Sequence, residues 1–296
     1  MMKKEIFRGI ATALVTPMTA GGVDYESLGS LIDWQIEEGI RALVVCATTG
    51  EAPTLSDREH IDVLDFAVRR AARRVPVIAG TGSNDTAHAV MMTQEAARLG
   101  CDAALVVSPY YNKATQKGLI ASFSRIADDG RLPLILYNVP SRTGTTIEPA
   151  TYEVLADHPG IVGIKEAGGN ISKIVETAAR VGDKLALYSG NDDQIVPIMA
   201  MGGIGCISVL SNVMPKETCE ITDRFFAGDL AGSAALQCKY QKLISLLFCE
   251  VNPIPAKAAL AAMGKIQNYL RLPLTPMEEP NRQALLAEMR RLGVNV

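Results

Sequence analysis

Short runs of β-branched and apolar residues recur along the chain, each bounded by turn residues and followed by a segment of helical periodicity. The eight runs lie at residues 9–17, 41–48, 75–81, 102–109, 132–140, 160–166, 185–190 and 205–211. Near-continuous apolar strands that alternate with helices are typical of a parallel sheet covered on both faces. Eight such units predict an α/β fold, a (β/α)8 TIM barrel.

The predicted helices between these runs carry recognisable ends. They include residues 25–38, 56–74, 86–99 and 118–128. Ser56 and Glu59 have capping-box spacing, and Gly39 and Gly100 stand just past two helix ends. An open, doubly wound sheet is the competing fold. It is disfavoured because no G-x-G-x-x-G follows the first run, and because eight evenly spaced units suit closure better.

The chain continues for about 80 residues after the eighth run. This tail has helical periodicity at residues 229–247, 255–265 and 280–292. We therefore expect two parts: a catalytic barrel at residues 1–228 and a small C-terminal α-helical domain at residues 229–296.

Charge and composition restrict the partners. Lys plus Arg number 29 and Asp plus Glu 32, which gives a net charge of −3. A nearly neutral chain without a basic run predicts no nucleic-acid binding. It has neither a polybasic anchor nor an apolar run of about 20 residues, so we expect no membrane association.

The N-terminus and the metal-ligating residue types give further expectations. Lys3 and Lys4 precede an apolar stretch, as in a signal peptide, but Arg8 interrupts the stretch and Thr16-Pro17 ends it. We therefore do not expect this segment to be a signal peptide.

The six cysteines form no C-x-x-C pair, which is typical of reduced thiols in a cytoplasmic protein. The three histidines are far apart, so we expect no metal site.

Lys165 lies inside an apolar strand pattern, where a lysine is unusual. Alternation with a period of two places Ile161, Gly163 and Lys165 on one face, and Gly163 leaves room beside the amine. Burial favours the neutral amine, which can attack a ketone and form a Schiff base. Two alternatives remain: an ion pair with a carboxylate, and a side chain that reaches out to solvent.

Other strand ends carry groups that suit such chemistry, because active sites of these barrels lie at the C-terminal ends of the strands. Tyr137 ends the neighbouring fifth run, and its hydroxyl could relay protons with Thr48 and a second tyrosine. It could equally be a packed core residue. Arg142, in a tight Pro-Ser-Arg-Thr-Gly loop, suits a carboxylate or phosphate, although a surface salt bridge is an equal alternative.

Several motifs in one order make the chain similar to the dihydrodipicolinate synthase / N-acetylneuraminate lyase family, almost from end to end. The motifs are Thr48-Thr-Gly-Glu51, Gly80-Thr-Gly82, Pro109-Tyr-Tyr-Asn112, Tyr137-Asn-Val-Pro-Ser-Arg-Thr-Gly144, Gly163-Ile-Lys-Glu166, Ser189-Gly190 and Asn252-Pro-Ile-Pro255. The resemblance implies a class I aldolase whose lysine captures pyruvate. It also implies that no metal or organic cofactor takes part.

The resemblance also implies roles for single residues. Lys165 matches the Schiff-base lysine. The proton-relay positions are matched by Tyr137, Thr48 and Tyr111, the last entering the site of a partner subunit in a homotetramer built from tight dimers. Positions beside pyruvate are matched by Thr49, Gly190 and Ile207. Arg142 matches the residue that binds the carboxylate of L-aspartate 4-semialdehyde, and this favours the synthase branch of lysine and diaminopimelate synthesis.

One departure from the family pattern concerns feedback by lysine. Sensitive members bind lysine with a Tyr, an Asn, a Glu and a His, of which Tyr110 and Asn84 are matched here. His88 stands in place of the Glu and Asp57 in place of the His. We therefore predict weak or absent inhibition by lysine.

Two other functions remain open. The chain could be another pyruvate-dependent aldolase of the family, such as a sialic acid or 2-keto sugar-acid lyase. It could also be a barrel that binds a ligand without catalysis, although the joint presence of Lys165, Tyr137, Thr48, Tyr111 and Arg142 speaks against this.

Overall fold

Eight parallel strands form a closed barrel in the computed structural model, which describes residue 3 and residues 5–296. The strands are β1 (Gly9–Ala13), β2 (Ala42–Val45), β3 (Val77–Gly80), β4 (Ala103–Val107), β5 (Leu134–Asn138), β6 (Ile161–Glu166), β7 (Ala186–Ser189) and β8 (Gly205–Ser208). Each strand pairs with the next, and β8 pairs with β1. The predicted (β/α)8 barrel is confirmed.

Helices connect the strands on the outside of the barrel. They are α1 (Tyr25–Glu37), α2 (Asp57–Ala71), α3 (Thr86–Leu99), α4 (Gln116–Asp129), α5 (Pro149–Leu155), α6 (Ile171–Val181), α7 (Ile195–Ala200) and α8 (Pro215–Phe226). Ser56 and Glu59 form the predicted capping box at the start of α2. An antiparallel pair, Met18–Thr19 with Gly22–Val23, was not predicted.

The interior of the barrel is closed at the end where the strands begin. Tyr188 is fully buried, and its ring stacks on Phe7 with centroids 4.3 Å apart. The Tyr188 hydroxyl donates a hydrogen bond to the Phe7 carbonyl over 2.8 Å. Because Phe7 precedes β1, these rings fill the N-terminal end of the barrel. The carboxyl ends of the strands are left to form the site.

A register shift in β6 corrects one detail of the sequence analysis. Ile161 pairs with Leu134, whereas Gly163 pairs with Ile135, so one additional residue is accommodated between them. Ile161 consequently packs in the outer layer between strands and helices. The prediction that it shares a face with Lys165 was wrong, because alternation holds only where the register is unbroken.

Three helices follow the barrel: α9 (Leu230–Leu247), α10 (Ile254–Ala262) and α11 (Glu279–Arg291). They confirm the predicted C-terminal helices. Their buried side chains, such as Leu243 and Leu285, belong to the same apolar cluster as Ile10 and Leu43 of the barrel. The division into two domains after residue 228 stays a prediction. Among the described residues, no helix combines the length and apolarity needed to cross a bilayer.

Candidate active site

Lys165 lies on β6 with only 5% of its surface exposed. It is paired across the sheet with Tyr137 of β5, and its Nζ lies 4.2 Å from the centre of the Tyr137 ring. No carboxylate lies within 4.0 Å of this amine in the described part of the chain. Neither alternative for Lys165 holds, because the side chain is buried and unpaired. Such an amine is a candidate nucleophile.

Gly190 gives the Lys165 side chain its space. It follows β7, and its backbone N–H donates to the Glu166 carbonyl over 2.7 Å. A Cβ atom at position 190 would lie 3.1 Å from Cε of Lys165 and 2.8 Å from Cβ of Ala167. A side chain there would press on the lysine. The predicted position of Gly190 beside the site is thus a consequence of close packing.

A cavity of about 490 Å³ opens at the carboxyl ends of the strands. Its volume lies within the range of small-molecule sites. Three predicted site residues line it: Thr48, Tyr137 and Arg142. Lys165 is not in its wall, but its amine lies against the Tyr137 ring, which is. Thr49 and Ile207 are not in its wall. Both are buried, Ile207 in the barrel interior.

The loop after β2 is held rigidly. Cys46 and Glu51 adopt left-handed backbone conformations, with φ of 55° and 54°. The Glu51 carboxylate forms an ion pair with Lys257 of α10, and both side chains are fully buried. Burial lowers the pKa of Lys257, while the charge of Glu51 opposes this shift. The loop that carries Thr48 and Thr49 is therefore fastened to the C-terminal helices.

Arg142 extends from a one-turn helix, Pro140–Thr143, that follows β5. Its guanidinium donates to the backbone carbonyl of Asn252 over 3.2 Å. Within the described residues, no acidic side chain lies within 4.0 Å of it. The alternative of a surface salt bridge is therefore not supported. A cation without a carboxylate partner at a cavity wall is suited to an anionic ligand.

Within one chain, Tyr111, Thr48 and Tyr137 do not form the connected proton relay that was expected. Tyr111 is 93% exposed and does not reach Lys165. It also has a left-handed φ of 69°, a conformation that bulky residues seldom adopt. Thr48 and Tyr137 line the same cavity, but no hydrogen bond joins them among the described residues.

A buried carboxylate that the sequence analysis did not identify lies close to Lys165. Asp192 is 2% exposed and accepts hydrogen bonds from the backbone N–H groups of Val209 (3.0 Å) and Leu210 (2.8 Å). Burial raises the pKa of Asp192, whereas hydrogen bonds from Ser208 and the two backbone N–H groups oppose the shift, with a smaller contribution from the charge of Lys165. The sequence offered a weak signal, because Asp192 and Asp193 are adjacent and nothing in the pattern tells which one is buried.

Asp57 and His88, the two residues that depart from the expected lysine-binding pattern, contact each other. Nε2 of His88 lies 3.0 Å from a carboxylate oxygen of Asp57. Both residues, and Tyr110, line the same cavity as Thr48 and Tyr137. Asn84 lies next to them, where its carbonyl accepts a hydrogen bond from Asn112 over 3.0 Å. His88 and Asp57 therefore form a pair in the wall of this cavity.

The fold and site together define a class of protein: a (β/α)8-barrel enzyme with a buried amine suited to Schiff-base chemistry. Comparison with known families is more specific. The Dihydrodipicolinate synthetase family matches residues 6–292, and the chain belongs to this family.

Individual relatives agree in both sequence and structure. A 4-hydroxy-tetrahydrodipicolinate synthase of Alkaliphilus oremlandii is 50% identical over 289 residues, covering 98% of this chain and 100% of the relative. The crystal structure of dihydrodipicolinate synthase from Aquifex aeolicus is 42% identical with a TM-score of 0.96, covering 98% and 99%. The enzyme from Acinetobacter baumannii, complexed with pyruvate, is 45% identical with a TM-score of 0.95, covering 98% and 100%.

Proposed function

We propose that the chain condenses pyruvate with L-aspartate 4-semialdehyde to 4-hydroxy-tetrahydrodipicolinate, through a Schiff base on Lys165. One observation carries this proposal: the Lys165 amine is buried, has no carboxylate partner and lies against the Tyr137 ring. Tyr137 in turn lines the cavity that Arg142 also lines. The reaction belongs to lysine and diaminopimelate biosynthesis. Relatives about half identical over their full length bear the name of this synthase.

The chemistry begins with addition of the Lys165 amine to the keto carbon of pyruvate. Loss of water gives an imine, and loss of a proton from the methyl carbon gives an enamine. That carbon attacks the aldehyde and forms the carbon–carbon bond. The amino group of the second substrate then attacks the imine carbon, closes the ring and releases Lys165. Each step moves a proton, which requires a relay beside the amine.

Proton transfer and substrate binding are carried out by different residues around the amine. The Tyr137 ring lies against the amine, and Tyr137 begins the relay, with Thr48 and Tyr111 completing it. Thr49, Gly190 and Ile207 surround pyruvate. Arg142 binds the carboxylate of the semialdehyde, which its unpaired guanidinium supports.

The exposed position of Tyr111 supports the proposal of an oligomer. A tyrosine that is 93% exposed and held in an unfavourable φ is explained if it enters the site of a neighbouring subunit. We propose a tight dimer as the catalytic unit, paired into a homotetramer in the cytoplasm. We also propose that each subunit divides into a barrel, residues 1–228, and a helical domain, residues 229–296.

Trapping with borohydride tests the covalent step. Pyruvate with borohydride is expected to add mass to the peptide that contains Lys165. The adduct is lost in Lys165→Ala and kept in Lys173→Ala, a control whose lysine pairs with Glu148 at 2.8 Å. Assays with aspartate semialdehyde and with sialic acid then separate the synthase from a lyase. Normal turnover by Lys165→Ala, or cleavage of sialic acid in place of condensation, would contradict the proposal.

A further inference from the structure

Asn252 contacts two residues that are proposed to bind substrates, Thr49 for pyruvate and Arg142 for the semialdehyde. Its side-chain Nδ2 donates to Oγ1 of Thr49 over 2.9 Å. Its backbone carbonyl accepts from Arg142 over 3.2 Å. The residue lines the cavity and is 5% exposed. One residue from the C-terminal part of the chain therefore lies between Thr49 and Arg142, which come from different barrel loops.

The segment around Asn252 is fixed to the same loop as Thr49 by other contacts. Lys257, five residues further on, pairs with Glu51, two residues after Thr49. Arg271 donates to the Thr54 carbonyl over 2.7 Å. These contacts keep the segment around residue 252 at a fixed distance from the loop that carries Thr49. The bond from Arg142 to the Asn252 carbonyl therefore also fixes where Arg142 lies relative to Thr49.

The side-chain amide of Asn252 is only half satisfied. Its Oδ1 is buried and has no hydrogen-bond partner in the part of the chain that the structure describes. An unpaired buried oxygen opposes folding, so an apolar residue of the same shape would serve stability better. The amide is therefore explained by its contact with Thr49 and not by a contribution to stability.

We propose that Asn252 is a positioning residue, which holds Thr49 and Arg142 at the separation at which pyruvate and the second substrate both bind in the cavity. This inference rests on the proposed function. A displacement of either side chain weakens the binding of the substrate that it contacts, so the effect is expected in KM and not in the capture of pyruvate by Lys165. Asn252 acts through Thr49 and Arg142 and forms no bond to the reacting atoms.

The test compares Asn252→Leu, which has nearly the same shape, with Asn281→Ala. Nδ2 of Asn281 donates to Glu250 over 2.8 Å, so this control removes an Asn side-chain bond to the same segment away from the cavity. Asn252→Leu is expected to raise KM for both substrates by roughly tenfold, the effect of one lost hydrogen bond. It should keep the melting temperature and the pyruvate adduct. Asn281→Ala should keep both KM values.

A double variant tests whether Asn252 acts through Thr49. In a Thr49→Val background, Asn252→Leu should add little to KM for pyruvate, because the shared contact is already gone. Unchanged KM values in Asn252→Leu, a change for one substrate alone, or full additivity with Thr49→Val would overturn the inference. Each of these results leaves the proposed function intact. Absence of both adduct and condensation in the unsubstituted protein would instead contradict the proposed function.

Discussion

The ammonium of Lys257 and the carboxylate of Glu51 form an ion pair between α10 and the loop after β2, with neither side chain exposed to solvent. Two buried charges are costly to desolvate, and their attraction offsets this cost only while both are present. The pair therefore specifies how the C-terminal helices dock beside Thr48 and Thr49 more than it adds stability.

Removal of one partner should be strongly destabilising. Lys257→Met leaves the Glu51 carboxylate buried without a counter-charge, and we expect a loss of about 3–5 kcal/mol in unfolding free energy. Urea denaturation measures it, and adding Glu51→Gln should recover part of the loss. Lys184→Met, which breaks an exposed pair with Asp157, should change little. A Lys257→Met midpoint equal to that of the unsubstituted protein would show that the pair is not buried.

His60 should make stability depend on pH. It is 8% exposed, and burial lowers its pKa from 6.5 to about 4. Above pH 6.5 the imidazole is neutral in both the folded and unfolded chains. Between pH 6.5 and about 4 the unfolded chain binds a proton that the folded chain does not, so stability falls as pH falls.

The pKa shift of His60 also sets how much stability is lost at low pH. The shift corresponds to about 3 kcal/mol once the window is crossed. Urea unfolding of the protein and of His60→Gln, measured above and within the window, should show that the unfolding free energy of the protein falls more steeply than that of the variant as pH falls. If the two profiles stay parallel, His60 does not titrate as its burial requires.

The sequence allowed the barrel and the Lys165–Tyr137 pair to be predicted because both depend on local rules. Apolar runs mark the strands, and the ends of neighbouring parallel strands necessarily meet. The contacts of Asn252 with Thr49 and of Lys257 with Glu51 could not be predicted, because each joins residues more than 200 positions apart. The outward position of Ile161 was missed for a different reason: a shift in strand register leaves no mark in the apolar pattern.

Arg142 should act on the second substrate and not on the first. Arg142→Ala is expected to weaken binding of aspartate semialdehyde, or of its transition state, by less than the range of about 2–5 kcal/mol that is typical of a buried charge pair, because Arg142 is exposed. Arg142→Lys should give an intermediate loss, since a lysine keeps the charge without the guanidinium fork. Steady-state kinetics with each substrate varied measure both variants. Loss of the borohydride-trapped pyruvate adduct in Arg142→Ala would contradict this role.

Inhibition by lysine should be weak or absent. A bound lysine ammonium would lack a carboxylate at position 88, where a histidine stands and pairs with Asp57 at 3.0 Å. Inhibition curves with increasing lysine check this directly. Restoring the usual residues with His88→Glu and Asp57→His should strengthen inhibition, with Tyr110 and Asn84 unchanged. Strong inhibition of the unsubstituted protein at sub-millimolar lysine would overturn the prediction.

Tyr111 should act in the site of the partner subunit, and mixing two inactive variants tests this. In a dimer of Lys165→Ala with Tyr111→Phe, one site would combine an intact Lys165 with an intact Tyr111 from the other chain. Random exchange of subunits should then restore about a quarter of full activity, since half of the dimers are mixed and each has one complete site of two. If Tyr111 serves its own chain, no mixed dimer contains a complete site and no activity returns. Each variant incubated alone is the control, because exchange between identical chains cannot complete a site.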